Sequence, residues 1–396
     1  MRPSRDSRPE HDQHAPARGG SRRARWIVGA AAGLLALAGC SGGGGSTASS
    51  SSSSAAPTST SLAPPATIAG SVISTAGSSN EMSVAVPDPV AAEWTGLGAD
   101  TGVEWVAVAG DGTTSTTPLA FGGDTGQVTA LTEQINADQS TAPGGRQALA
   151  GLDAIASPAG SPVWVFSSLL DTAGPMDMTQ LAFDQSPPDV VAAVTAAGKL
   201  PDLTGRTVTY VVTPVAGEQQ KLSDLQVGYQ RAIWEDVARA AGAADVVFFD
   251  GAGTTPGTGT VPAVPVPDPN AAINAEGSGP TRTCTLPAPA LFLPNTPQLI
   301  DRSATAAALS ECIGSLESAT QIAIVGHTAA TDGGDEQAAV DLSTQRATEV
   351  AAILREQGVP AENITSVTGV GSSQPIVQPA SDPGNRAVVV TFTTTG

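Results

Sequence analysis

Two segments rich in glycine, serine and proline constrain this chain most, because neither can contribute to a packed core. Residues 41–66 are almost entirely Ser, Gly, Ala, Thr and Pro, and residues 251–281 contain the run Val261-Pro-Ala-Val-Pro-Val-Pro-Asp-Pro269. The first composition buries too little apolar surface to order itself, and the second favours an extended polyproline conformation. We therefore predict disordered linkers at 40–83 and 251–281, with folded domains at 84–250 and 282–396.

The beginning of the chain has the pattern of an export signal. Three arginines at 22, 23 and 25 precede an apolar run, Trp26 to Gly39, that ends at Cys40. Such a run is too short to span a bilayer comfortably and is typical of a cleaved signal peptide, here residues 1–39. Leu37-Ala38-Gly39-Cys40 resembles a bacterial lipobox, which implies that Cys40 is lipidated, with palmitate among its acyl chains. An ordinary secretory signal is the alternative, and twin-arginine export stays open.

Charge and cysteine content agree with an exported protein. The formal net charge of −19 comes from dispersed acids, so nucleic acid and anionic headgroups are repelled and nucleic acid is excluded as a partner. Cys284 and Cys312 are the cysteines left besides Cys40. Two cysteines in an exported chain are expected to form a disulfide, the alternative being two buried thiols.

Residues 84–250 alternate strand-like and helix-like patterns. Buried-strand patterns occur at 103–109, 162–167, 207–213 and 245–249, and helical patterns at 126–139, 146–156, 188–197 and 223–241. This alternation predicts a three-layer α/β domain with a mostly parallel sheet. Its order resembles von Willebrand factor A-like and Rossmann-like domains.

The A-domain family binds a divalent metal through an Asp-x-Ser-x-Ser loop after its first strand. In this chain Asp111, Thr113 and Ser115 follow the strand at 103–109 with compatible oxygen atoms. The resemblance makes them candidate metal ligands. The alternative is that Asp111-Gly112 is simply a turn.

The last 115 residues contain their own pattern of strands and helices and a series of short motifs. The sequence predicts strands near 290–293 and at 321–326, 363–369 and 386–393, with helices at 302–317 and 338–357. The motifs are Phe292-Leu-Pro-Asn295, Ile322-Ala-Ile-Val-Gly-His-Thr328, Leu342-Ser-Thr-Gln-Arg-Ala347, Gly369-Val-Gly371 and Asn385-Arg-Ala-Val-Val-Val390. In this order they resemble the C-terminal peptidoglycan-associated domain of the OmpA family. The resemblance over 282–395 implies a β/α sandwich that binds the peptide stem of peptidoglycan.

The family grips diaminopimelate with an arginine on its carboxylate and an aspartate on its ammonium. Arg346 matches the arginine, and Asp332 lies one residue from the place of the aspartate. The sequence departs from the family pattern at Ala329, Ala339 and Ala387, so part of the pocket is lost. The resemblance implies a peptidoglycan-binding set of Arg346, Asp332, Thr328, Ser343, Asn385 and Arg386.

Arg346 is also a candidate site residue when the family resemblance is left aside, because of its position on the predicted helix. At about 100° per residue it falls on the apolar arc of its helix, close to Leu342, Val350 and Ile353, whereas Arg355 falls among polar positions. A charge on an apolar arc needs a partner or a ligand. The internal alternative to a bound carboxylate is an ion pair, with Asp332 or Asp335.

These features predict a non-catalytic lipoprotein on the extracytoplasmic side of the cell envelope. We expect no enzyme and no cofactor, since the only histidine outside the signal peptide is His327. The protein would link the membrane to peptidoglycan, with an unknown protein partner for residues 84–250. The alternative is an extracellular adhesion or scaffold protein with a metal-assisted A-like domain and a vestigial wall-binding pocket.

The first prediction concerns anchoring. Replacing Cys40 with serine removes the thiol that would carry the lipid, and two or more acyl chains are needed for stable membrane attachment. We expect Cys40→Ser to leave the membrane fraction or to stay unprocessed, measured by fractionation and intact-mass analysis. Equal solubility and equal processing of wild type and variant would refute a lipoprotein.

Overall fold

The computed structural model describes residues 65–394 apart from 79–80, 99, 121–124, 138–144, 216–221, 254, 257–258, 268–273, 278–279, 314–319 and 332–333. Cys40, the signal peptide and most of the first linker lie outside this part. The described residues form two sheets, in an N-terminal lobe (65–267) and a C-terminal lobe (274–394). None of the described helices has the length and apolar composition needed to cross a bilayer.

The N-terminal lobe has a six-stranded sheet in the order β3-β2-β1-β4-β5-β6. All neighbouring strands are parallel except β2 and β3, which form an antiparallel pair at one edge. The strands are β1 Thr67–Thr75, β2 Thr101–Val108, β3 Thr114–Ala120, β4 Val163–Ser167, β5 Thr207–Val212 and β6 Asp245–Asp250. The helices are α1 Asp88–Thr95, α2 Thr125–Ala137, α3 Ala148–Asp153, α4 Met178–Leu181, α5 Pro187–Ala196 and α6 Asp224–Ala240.

Helices cover both faces of this sheet, so the predicted three-layer α/β architecture is confirmed. Side chains alternate along each strand: Val72 and Trp164 face a core with α1 and α2, whereas Ile73 and Val165 face a core with α3, α5 and α6. A parallel sheet covered on both faces requires near-continuous apolar strands, which is the pattern that the sequence showed.

The domain begins earlier than residue 84, because the central strand β1 lies inside the segment predicted as a linker. Its sequence did not look like a buried strand, since it contains Ser71 and Ser74. Both serines are buried and bonded: Ser71 Oγ donates to Glu104 Oε1 at 2.5 Å, and Ser74 Oγ accepts from Trp105 Nε1 at 2.9 Å. These partners come from another strand, so the sequence of β1 alone could not reveal them.

The C-terminal lobe is a β/α sandwich with a five-stranded sheet in the order β10-β9-β11-β8-β7. Strands β9 and β10 are parallel and the other pairs antiparallel. The strands are β7 Asn274–Glu276, β8 Thr281–Pro287, β9 Thr320–His327, β10 Ile364–Gly369 and β11 Ala387–Thr394, and the helices are α7 Ala288–Leu291, α8 Arg302–Ile313 and α9 Glu336–Glu356. The predicted strand near 290–293 is wrong: these residues form α7 and its end, after Pro287.

The second linker is also shorter than predicted. Val261 and Val264 are buried on the N-terminal lobe, and the backbone N–H of Val261 donates to the Gly77 carbonyl at 3.2 Å. Strand β7 adds an edge to the second sheet. Alternating prolines thus lie against the protein surface, because the valines between them bury apolar area.

Cys284 and Cys312 form the predicted disulfide, with their Cα atoms 6.2 Å apart. Cys284 lies within strand β8, and Cys312 lies on α8. The bond therefore fastens α8 to the sheet.

The crevice between β1 and β4, where open parallel sheets usually bind ligands, is filled by protein. Arg146 is buried there and pairs with Glu81, while its Nη1 donates to the Leu170 carbonyl at 2.6 Å. Glu81 also accepts from Ser168 Oγ at 2.8 Å. A sealed ion pair thus occupies the position of a nucleotide in Rossmann-like proteins.

Asp171 lies beside this pair and caps the N-terminus of α3, although it is far from that helix in the sequence. Its carboxylate accepts from the backbone N–H groups of Ala148 at 2.9 Å and Leu149 at 3.4 Å. Burial nevertheless raises the pKa of Asp171 to about 7, against the opposing effects of these hydrogen bonds and of Arg146.

The second prediction follows from this shift. In the folded protein Asp171 holds its proton more tightly than in the unfolded chain, where the pKa of aspartate is 3.8. The stability that this group gives to the folded state is therefore lost as the pH rises from 3.8 to about 7. Its contribution to the free energy of unfolding should fall by up to about 1.4 kcal/mol per pH unit. We expect Asp171→Asn to remove that slope in urea titrations between pH 5 and 7. The exposed Asp111→Asn serves as control, and equal slopes in wild type and Asp171→Asn would contradict the assignment.

Candidate functional site

The largest group of candidate residues meets in a cleft of about 470 Å³ between the N-terminus of α9 and residues 184–189 of the N-terminal lobe. We call it the Arg346 cleft. Of the six predicted wall-binding residues, Thr328, Arg346 and Arg386 line it. Its other polar lining side chains are Asp184, Gln185, Asp189, Asn295, Thr331, Asp335, Asp341 and Gln345.

Arg346 lies on the buried face of α9, as its place on the apolar arc predicted. Its side chain is 1% exposed, and its Cζ lies 5.2 Å from the centroid of the Phe292 ring. Its Nε donates to the Thr296 carbonyl at 2.9 Å. One edge of the guanidinium is therefore used within the C-terminal lobe, and the two Nη atoms face the N-terminal lobe.

The partner of those two atoms is Asp184, on the turn between α4 and α5. Nη2 and Nη1 of Arg346 donate to the two carboxylate oxygens of Asp184, at 2.7 and 3.2 Å. The Asp184 side chain is 5% exposed and also accepts from the backbone N–H of Asn295 at 3.2 Å. This is the paired geometry in which a guanidinium binds carboxylates.

The expected internal partners, Asp332 and Asp335, are not the ones found. Asp335 caps α9 instead, since its Oδ1 accepts from the backbone N–H groups of Gln337 at 2.9 Å and Ala338 at 3.3 Å. Asp332 lies outside the described residues. An ion pair does exist, but its acid comes from the other lobe, 162 residues earlier in the chain.

Arg386 also forms hydrogen bonds with this turn, at the residues just before Ala182. Its Nη1 donates to the carbonyls of Gln180 and Leu181, at 2.8 and 2.9 Å. These are the last carbonyls of α4, which have no partner within the helix. Burial lowers the pKa of Arg386, and the nearby Asp184 carboxylate opposes that shift.

The turn itself has an unusual backbone. Ala182 and Phe183 have φ angles of 49° and 56°, in the left-handed region that costs a non-glycine residue roughly 1–3 kcal/mol. Phe183 is buried and packs against Tyr229, with ring centroids 5.9 Å apart. Packing and the two arginines together hold this turn in place.

Thr328 follows β9, lines the cleft and carries a buried hydroxyl without a bonding partner among the described residues. The residue is 9% exposed, and its Oγ1 has no hydrogen-bond partner among the described residues. Its backbone N–H donates to the Gly371 carbonyl at 3.0 Å. Since buried polar groups are nearly always bonded, an unpartnered hydroxyl in a cleft is a ligand candidate.

Ser343 and Asn385 are buried away from the cleft and have internal partners. Ser343 Oγ donates to the Val340 carbonyl at 2.9 Å and accepts from the Gly371 N–H at 3.1 Å. A Cβ at Gly369 would collide with that Oγ, so α9 and the end of β10 approach closely here.

Asn385 binds a single loop through its amide. Its Oδ1 accepts from the Val377 N–H at 2.9 Å, and its Nδ2 donates to the carbonyls of Val377, Pro379 and Ala380 at 3.0–3.1 Å. Asn385 therefore shapes the loop that leads into Arg386, and it does not reach the cleft.

The candidate metal residues do not occupy the place that the resemblance gave them. Asp111 and Thr113 lie in the hairpin turn between β2 and β3, and Ser115 is on β3. The Asp111 carboxylate accepts from the Thr113 N–H at 2.9 Å and from its Oγ1 at 2.7 Å. The loop after the first strand begins at Ala76 and has no aspartate before Glu81. No group of three His, Cys, Asp or Glu side chains suited to a metal occurs among the described residues.

Sequence reasoning missed Asp184 and Asn295. Asn295 belongs to one of the matching motifs, and its φ of 52° presents the backbone N–H that reaches Asp184. Asp184 had no signal of its own, because an aspartate shortly before a helix that starts with Pro187 reads as an ordinary surface residue.

Comparison with known proteins found one family and several solved structures. The model of the OmpA family matches residues 291–388. A comparison with curated protein sequences found no match. Similar solved structures include a MotB-like protein from Desulfovibrio vulgaris, at 20% identity over 32% of this chain and 82% of that chain, with a TM-score of 0.27.

Two further structures show the same limited coverage. The periplasmic domain of Helicobacter pylori MotB is 20% identical over 32% of this chain and 82% of its own, with a TM-score of 0.28. The cell wall anchor of the T6SS from Pseudomonas aeruginosa is 20% identical over 31% of this chain and 88% of its own, with a TM-score of 0.25. The family match covers the segment that holds Arg346, Thr328 and Arg386, and residues 291–388 of this chain are an OmpA-family domain.

Proposed function

We propose that this protein is a non-catalytic lipoprotein of the cell envelope that binds peptidoglycan without covalent bonds through residues 291–388. The observation that supports this most is the Arg346 cleft, which is lined by Arg346, Arg386 and Thr328, whose hydroxyl has no partner among the described residues. Two guanidinium groups and a free hydroxyl suit a ligand that carries a carboxylate. The wall component with that chemistry is the peptide stem, whose diaminopimelate side chain is a zwitterion.

The ammonium end of such a ligand would need an acid. Asp332 is the residue proposed for that role, and Asp335 and Asp341 line the same cleft. Ala329 and Ala339 also line it, where the family pattern has an aspartate and an asparagine. The cleft is consequently poorer in ligand contacts than the family pattern, and we expect weaker binding.

The rest of the chain supports a tether. A lipid on Cys40 would hold one end at the membrane, and the wall-binding domain would hold the other. With one end held by the lipid, the weaker contact with the wall forms at a high effective concentration, and the linker sets the span. The N-terminal lobe, whose crevice is filled by Arg146 and Glu81, would present a surface to a protein partner.

The third prediction tests Arg346 in the full chain. Lysine keeps the positive charge but cannot form the paired contact with a carboxylate, whereas alanine also leaves Asp184 buried without a partner, at a cost of about 3–5 kcal/mol. We expect Arg346→Lys and Arg346→Ala to lose retention on diaminopimelate-containing sacculi in a pull-down. Arg346→Ala should also have the lower melting temperature.

Arg355→Ala is the matched control, since Arg355 is exposed on the same helix. It should keep wild-type retention and stability. Retention of Arg346→Lys equal to that of wild type would show that the wall contact does not use this guanidinium.

The fourth prediction concerns Thr328. Valine has the same shape without the hydroxyl, so Thr328→Val should keep or raise the melting temperature, because no internal hydrogen bond among the described residues is lost. Retention on sacculi should fall roughly two- to tenfold if the hydroxyl binds the wall peptide. Ser343→Ala, which removes a hydroxyl with two partners, should instead lower the free energy of unfolding by about 1–3 kcal/mol. A marked loss of stability in Thr328→Val would show that the hydroxyl has a structural role.

A further inference from the structure

The side of the Arg346 guanidinium that would bind a carboxylate is already occupied by groups of the protein itself. Both Nη atoms donate to Asp184, Nε donates to the Thr296 carbonyl, and the Phe292 ring covers one face. With 1% of the side chain exposed, no outside carboxylate can reach it while Asp184 stays in place. Asp184 thus has the position and chemistry expected of a bound ligand carboxylate.

The second arginine of the cleft is engaged by the same short segment. Arg386 Nη1 donates to the carbonyls of Gln180 and Leu181, three to four residues before Asp184. Residues 180–184 therefore use both guanidinium groups of the cleft at once. A carboxylate that pairs with Arg346 must displace Asp184, and a ligand that binds Arg386 through Nη1 must displace the carbonyls of Gln180 and Leu181.

The backbone of this segment has a conformation that is unfavourable for residues other than glycine. Ala182 and Phe183 have consecutive positive φ angles without being glycine. Such strain persists only where the surroundings enforce it and is concentrated at ligand clamps and switches. Release from the two arginines would remove part of what enforces this conformation, while the packing of Phe183 on Tyr229 stays within the N-terminal lobe.

Part of the cleft remains open beside the segment. The Thr328 hydroxyl is free of partners among the described residues, and a volume of about 470 Å³ adjoins Asp184 and both arginines. A wall peptide can enter this space before the segment leaves. Displacement can then proceed stepwise, with the incoming carboxylate replacing that of Asp184.

We propose that residues 180–184 are an internal competitor for the Arg346 cleft, and that Asp184 must leave Arg346 before peptidoglycan binds. This inference rests on the proposed wall-binding function. It adds that the free protein is self-inhibited and that binding separates the turn of the N-terminal lobe from the OmpA-family domain. Anything that binds the released turn strengthens wall binding, and the N-terminal lobe thereby controls the tether.

The fifth prediction tests this with Asp184→Asn in the full chain. Asparagine keeps the shape but removes the charge that Arg346 prefers, so the fraction of protein with an open cleft rises and the apparent dissociation constant falls in proportion. We expect binding to diaminopimelate-containing sacculi to tighten roughly tenfold or more. Free meso-diaminopimelate should compete with it.

Two variants make this result specific. Asp202→Asn removes an equal charge at an exposed site of the same lobe and should bind as wild type does. Asp184→Asn combined with Arg346→Lys should lose the gain, because the gain acts through Arg346. Equal or weaker binding by Asp184→Asn than by wild type, with wild type bound, overturns the internal competitor and leaves the proposed function standing. Absence of binding by both proteins overturns the function and the inference together.

Hydrogen exchange on the wild-type chain gives a readout that needs no variant. In the docked form the backbone N–H of Asp184 donates to the Leu181 carbonyl and that of Ala182 to the Met178 carbonyl. Saturating meso-diaminopimelate should speed exchange at these amides at least several-fold as the segment leaves. Unchanged or slower exchange there, in protein that binds the probe, contradicts displacement.

Discussion

The buried ion pair between Arg346 and Asp184 is the interaction on which the arrangement of the cleft depends. Helix α9 places a guanidinium on its apolar face, and a charge in that position is stable only with a bonded counter-charge. Asp184 supplies it from the other lobe. The Asn295 N–H, the Thr296 carbonyl and the Phe292 ring complete the environment of the pair. The strained turn at Ala182 and Phe183 follows from the same requirement, because it brings the carboxylate to the arginine.

Two buried arginine pairs occur in the described part of the chain, and they have different consequences. Arg146 and Glu81 both belong to the N-terminal lobe and fill the crevice at the centre of its sheet. Because both partners are buried within one lobe, we assign this pair a structural role. Arg346 and Asp184 belong to different lobes, each with its own core. That pair can open by separating the lobes while both sheets stay intact, which is why one pair suits a switch and the other does not.

The proposed tether combines this switch with two attachments. A lipidated end would keep the protein at the membrane, and the OmpA-family domain would reach the wall. An internal carboxylate lowers the apparent affinity for the wall in proportion to the fraction of open protein. The weak contact would then become firm only where the local concentration of wall peptide is high or where a partner holds the N-terminal lobe away. Ala329 and Ala339, which stand where the family pattern has an aspartate and an asparagine, would weaken the ligand contacts further and so make such control more effective.

The sequence alone determined the local features of this protein. Periodicity was enough to predict the α/β layers and the burial of Arg346 on α9, because both follow from spacing along one element. The motifs of 282–395 were enough to predict the OmpA-family domain, and the expectation of export was enough to predict the pairing of Cys284 with Cys312. Only the tertiary structure decided the partner of Arg346, since Asp184 lies 162 residues away and no local pattern links them. It also decided that Ser343 and Asn385 support the fold, that β1 is a central strand despite its serines, and that Asp111 belongs to a hairpin. The physical reason is the same in each case: a buried polar group is specified by its bonding partner, and those partners come from elements that only folding brings together.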